Sequence, residues 1–152
     1  MLFNKRGMDN SGKCNLENSG SLRDVVYGVV FFVDDGDVPS LYEAEDGARG
    51  GYLRRTILVD IEDTSVEVES YFANPLFIDN SLLPFDWYHA LVVAGALEHG
   101  IPQEYLDDIA STPNIRDSDE MRRERALGAL GSYREDFEAG RLTKHGTPHS
   151  SA

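Results

Sequence analysis

The sequence predicts an α+β fold, a small mixed β-sheet or barrel with helices packed on one side or end. Three observations predict it. Runs of β-branched and aromatic residues fill the first half, at residues 25–33 (VVYGVVFFV), 52–60 and 64–73. The second half changes to helical spacing, punctuated by Asp86, Gly100, Pro102 and Pro113. The length, 152 residues, suits one domain with a single core.

Leu2-Phe3 opens a short strand, and the Gly/Asn/Ser-rich stretch to residue 24 reads as loop. Residues 25–33 read as a buried strand ended by Asp34-Asp35-Gly36. Ser40-Leu-Tyr-Glu43 has capping-box spacing and predicts a short helix that stops at Gly47. Residues 52–60 and 64–73 predict a hairpin turning at Glu62-Asp63. Val66, Val68 and Ser70 alternate there with Glu67, Glu69 and Tyr71, which predicts one buried face and one partly wet face.

Asp86 is placed to cap a helix over 87–99, with Gly100 as its stop. Pro102 predicts a second helix over 103–110. Asp117-x-x-Glu120 predicts a charged helix reaching Phe137, weakened by Gly128 and Gly131. The domain is therefore expected over residues 1–137, with a mobile polar tail at 138–152. The apolar stretch 87–97 suits either a core or a homodimer face.

Charge excludes several function classes. The formal net charge is −13, and all of it falls on residues 1–115, which carry 7 basic and 20 acidic residues. Such a body repels phosphate backbones and anionic lipid, so neither nucleic-acid nor membrane binding is expected. No apolar run reaches the ~18 residues of a membrane span. The chain opens without an apolar signal core, and the lone Cys14 cannot form an internal disulfide. Both fit a reducing, cytoplasmic compartment.

Three constellations carry chemistry in principle. Residues 7–14 nearly spell a phosphate-binding loop, but Cys14 replaces the hydroxyl residue and NLENSGS after it does not start a helix. A turn is the better reading. His89, His99, His145 and His149 lack metal-ligand spacing, so no metal is expected. Glu43 and Glu45 stand before a Gly-rich turn that runs into Tyr52. A short capped helix leading through glycines into a strand could aim one carboxylate at the sheet, and periodicity does not choose between the two. Tyr52, Tyr71 and Tyr88 would either fill a core or line a polar cleft.

Taken together, these segments resemble the gamma-glutamylcyclotransferase family. The resemblance is carried by VVYGVVFFV, by Ser40-Leu-Tyr-Glu-Ala-Glu45-Asp-Gly-Ala-Arg-Gly-Gly-Tyr52, by Glu69-Ser-Tyr71 and by the segment from Tyr88 through Gly95-Ala96 and Gly100-Ile-Pro102 to Tyr105. Phe3-Asn-Lys-Arg and Ser11-Gly-Lys are similar to a further family stretch. The matches run in order over about residues 2–125. The family's catalytic carboxylate lies seven residues before a strand-opening Tyr, which implies Glu45 rather than Glu43. Tyr52, Tyr71 and Tyr88 would line the substrate cleft.

The family fold is a small mixed barrel with flanking helices. Its reaction would be cyclisation of a gamma-glutamyl amine or peptide to 5-oxoproline with release of the amine, as in glutathione metabolism, without metal or organic cofactor. The family's Tyr-Gly-Ser-Asn loop has no counterpart, since Tyr27-Gly28 is followed by Val29. Under the resemblance, this departure means either that the true start lies upstream of Met1 or that the chain is a reduced relative, and a non-catalytic binding module stands as the alternative to the enzyme.

Overall fold

The computed structural model describes residues 1–21, 23–45 and 47–142. The chain divides into two compact units, Met1–Leu82 and the residues from Leu83 onward.

The first unit holds two antiparallel two-stranded sheets. Strand β1 (Leu2–Arg6) pairs with β2 (Gly12–Asn15). The ladder shifts register between Leu2 and Lys5. Such an irregularity breaks the period-two alternation. Phe3, Asn4 and Lys5 are accordingly buried in succession. The connecting turn, residues 7–11, places Asn10 at φ 61° and bonds Gly7 N–H to the Ser11 carbonyl. The stretch that nearly spells a phosphate loop is therefore a hairpin, and Lys13 is engaged on Asp9 at 2.8 Å.

Residues 25–33 correct the sequence expectation. They belong to neither sheet, and all but the half-buried Val33 are solvent-exposed, Phe31 at 70% and Phe32 at 106%. Helix α1 (Val38–Ala44) begins two residues before the expected cap, after Asp37, with Pro39 in its first turn. The hairpin forms as expected: β3 (Tyr52–Ile61) pairs in continuous register with β4 (Thr64–Ala73), and Glu62 turns the chain at φ 53°. Its apolar face, with Ile57, Val59, Val66 and Val68, is only half-buried. Among the described residues each sheet has two strands, so the expected barrel is not closed.

The second unit is helical. Helix α2 (Asp86–Glu98) ends at Gly100, φ 63°, where Ile101 N–H reaches the Ala96 carbonyl and Gly100 N–H reaches that of Leu97. These two bonds make the αL stop that the glycine predicts. Asp86 opens this helix as its first residue rather than capping it, and its carboxylate pairs with Arg123 at 2.9 Å. Helix α3 (Gln103–Ala110) matches its predicted span.

The long charged helix is instead broken into α4 (Glu120–Leu127), a 3₁₀ turn over Gly128–Tyr133, and α5 (Arg134–Glu138). Gly131 sits at φ 56°, a backbone that cannot continue a helix. The cap is Asp119. Asp117 is fully buried and accepts hydrogen bonds from Arg122 and from Trp87 Nε1. Ala90, Val93, Leu106, Ile109, Leu127, Leu130 and Leu142 form the core. The rest of the expected tail, 143–152, lies outside the described residues. Among the described residues no helix is long and apolar enough to cross a membrane.

Candidate active site

Glu45 sits at the C-terminal end of α1, where its N–H donates to the Leu41 carbonyl at 2.9 Å. The glycine turn after it is held from two sides. The Tyr42 hydroxyl donates to the Gly47 carbonyl at 2.9 Å. Asn74 Nδ2 donates to the Gly50 carbonyl at 2.9 Å, and Asn74 N–H to that of Gly51 at 3.0 Å. Gly50 is at φ 66°, which an L side chain rarely adopts. The turn is thus tied to the end of β4, and it delivers the chain into β3 at Tyr52.

Glu45 is half-buried, whereas Glu43 is exposed. Burial raises the Glu45 carboxyl above its ordinary pKa, and the positive charge of Lys5 opposes the rise. A carboxyl whose pKa is raised by burial takes up and gives back a proton more readily than a fully solvated one.

Tyr52 donates its hydroxyl hydrogen bond to the Cys14 carbonyl at 2.6 Å. In the β3–β4 register Tyr52 faces Ala73 and Arg54 faces Tyr71. Directly paired residues share a face and successive residues alternate, so Tyr52 and Tyr71 stand on one face of the hairpin. Tyr71 is half-buried. Tyr88 lies on α2 in the second unit, edge-on to Trp87 with ring centroids 5.8 Å apart.

The family-like Phe3-Asn4-Lys5 stretch is buried beside Tyr52, which its sequence pattern does not signal. Lys5, 2% exposed, holds its ammonium 4.6 Å from the Tyr52 ring centroid and 5.8 Å from that of Phe77. Beside it Asn4 donates to Glu17 at 2.7 Å and to Asn80 at 2.6 Å, while Asn15 donates to Asn4 and accepts from Ala73 N–H. Phe3-Asn4-Lys5 has no apolar alternation to mark these polar residues as buried. Only the register shift in β1 turns them inward. Among the described residues no cluster of His, Cys, Asp and Glu is arranged to hold a metal ion.

The arrangement defines a class: an α+β chain whose half-buried carboxylate precedes a glycine turn into a tyrosine-bearing hairpin. The AIG2-like family matches residues 25–109, more than half of the chain and the span that includes Glu45, Tyr52, Tyr71 and Tyr88. The chain belongs to the AIG2-like family, within the gamma-glutamylcyclotransferase-like superfamily. That family generally includes gamma-glutamylcyclotransferase-type enzymes. No curated protein and no solved structure shows a significant match.

Proposed function

We propose that this chain is a gamma-glutamylcyclotransferase that converts a gamma-glutamyl amine or peptide to 5-oxoproline, with Glu45 as general acid and base. The observation that carries the reading is the state of Glu45, half-buried with its pKa raised, inside the family-matched span. In the reaction the free α-amine attacks its own γ-carbonyl, the five-membered ring closes and the γ-amide C–N bond breaks. Attack within one molecule removes much of the entropic barrier. Proton transfer remains: the attacking amine gives up a proton and the leaving amine takes one. A single carboxylate whose pKa is raised by burial serves both steps in turn. Tyr52, Tyr71 and Tyr88 are the proposed substrate contacts.

The test is to incubate the full chain with a panel of gamma-glutamyl amino acids and amines and to detect 5-oxoproline by mass spectrometry. Glu45→Gln should lower the rate by about 10²–10⁴-fold. Glu43→Gln, at an exposed position, should leave it largely intact. Product that survives Glu45→Gln would reassign the base. A parent chain that forms no product overturns the enzyme reading and leaves the binding module.

A further inference from the structure

Val29, Val30, Phe31 and Phe32 form an exposed apolar run, and Val25 and Val26 just before it are exposed as well. Among the described residues, no backbone group from Val29 to Val33 bonds to another residue, and neither sheet takes the segment in. Single exposed apolar residues need no explanation, but a contiguous run marks an interaction surface. Backbone groups left open in a stretch of strand-forming residues add a second demand, because they can pair with another chain.

Two observations select a second copy of this chain as the occupant. The first is area. Covering those six side chains as far as they are now exposed would remove roughly 700 Å² per chain from water, close to the ~800 Å² that each partner brings to an interface of standard size. The second is charge. Residues 25–33 carry no charged side chain, so two copies laid together oppose no like charges along them. The flanks are unequal: Arg23-Asp24 precede the segment and Asp34-Asp35 follow it. Among the described residues the side chains of Arg23, Asp34 and Asp35 make no ion pair, whereas Arg6, Arg54 and Arg122 are paired. An antiparallel arrangement brings Arg23 of each copy to the Asp34-Asp35 end of the other, and Asp24 offsets part of that gain. A parallel arrangement would set Asp34-Asp35 against itself. The other apolar stretch, 87–97, is spent within the second unit, where His89, Ala90, Val93, Ala94 and Ala96 are buried.

We propose that residues 25–33 are the contact of a two-fold symmetric homodimer, in which the segment of one copy pairs antiparallel with the same segment of a second. The same patch serves both copies, as two-fold symmetry requires. Valines and phenylalanines pack across the pair, backbone groups complete a ladder, and Arg23 closes each end on Asp34 and Asp35. The bodies oppose this contact, since each carries a formal charge of −13. The dimer should therefore be weak for its area, with a micromolar dissociation constant, and should tighten as salt screens the repulsion.

Sedimentation of the full chain across the micromolar range should show monomer giving way to dimer, with more dimer at higher salt. A hydrophobic dye should bind the monomer and be displaced as the dimer forms. The double Phe31→Ser, Phe32→Ser chain should dissociate at least about tenfold more readily. Arg23→Glu should weaken the dimer about threefold or more, and Asp34→Arg with Asp35→Arg in the same chain should restore it. Amide hydrogen exchange reads the contact in the parent chain alone, and decides should a variant fail to fold: protection from Val29 to Val33 should appear as concentration rises. A chain that stays monomeric throughout overturns the proposal. Open amides would then leave the segment to a different partner, and amides protected at every concentration would show it covered within its own chain. A dimer indifferent to the two phenylalanines places the contact elsewhere and overturns the proposal too. A dimer that tolerates Arg23→Glu overturns the antiparallel pairing.

Discussion

The ring of Tyr42 lies across the backbone of Gly47, and its hydroxyl donates a 2.9 Å hydrogen bond to the Gly47 carbonyl. This clasp spans Glu45 on both sides. A methyl group at position 47 would collide with the Tyr42 ring. Gly47→Ala should therefore expel the ring, break the hydrogen bond and cost about 1 kcal/mol of stability. Once Tyr42→Ala has removed the ring, the same substitution should cost nearly nothing. Chemical denaturation of the four chains closes the cycle. An equal cost in both backgrounds would show that the ring does not hold the turn.

Residues 25–33 lead to an opposite expectation for a large aromatic. Phe32 is 106% exposed, whereas Leu127 is 1% exposed. Phe32→Ser should alter stability by no more than about 0.5 kcal/mol, while Leu127→Ala should cost about 2–5 kcal/mol. The pair is compared by urea denaturation. A Phe32→Ser cost that approaches that of Leu127→Ala would place the segment in a core. The exposed run Val29, Val30, Phe31, Phe32 should also bind a hydrophobic dye in the parent chain, and lose part of that signal in the double Phe31→Ser, Phe32→Ser chain.

That segment also shows where the sequence stops being legible. VVYGVVFFV states a preference for a pleated, half-buried surface, and such a preference depends on a neighbouring strand. Neither sheet takes it in. The hairpin was readable because both of its strands and its turn are adjacent in sequence, and the stop of α2 because one glycine supplies the backbone that the stop needs. The break at Gly131 was visible only as a weakness in a charged helix. In the site, Glu45 could be singled out from Glu43 only through the family resemblance. Lys5 appears in the sequence only within the family-like Phe3-Asn4-Lys5 stretch, and its burial was illegible because it arises from a register shift between strands, not from a pattern along one of them.

His89 yields a pH prediction for the second unit. Its ring is fully buried on α2, with Nε2 2.8 Å from the Ile109 carbonyl and Nδ1 3.4 Å from Asn114 Nδ2. The first contact requires a proton on Nε2, and the second leaves Nδ1 to accept, so the geometry fits the neutral ring. Burial holds the pKa below the ordinary 6.5, and the bond to the Ile109 carbonyl opposes that only in part. Above pH 6.5 the ring is neutral in the folded and the unfolded chain, and its contribution to stability is complete. Below that, the unfolded chain takes up a proton that the folded chain refuses. Stability then falls with a limiting slope of about 1.4 kcal/mol per pH unit until the folded ring also titrates. Asp117 adds a separate loss at lower pH. Its carboxylate, held low by Arg122, stabilises the fold above the ordinary 3.8 and ceases to do so as pH falls below it. The measurement is the stability of the parent chain and of His89→Gln from pH 8 to pH 5. The difference between them should shrink steadily below pH 6.5, because glutamine cannot titrate. A constant difference, or a His89 ring that takes up its proton at or above pH 6.5 by NMR, would show that the buried neutral imidazole is not part of this core.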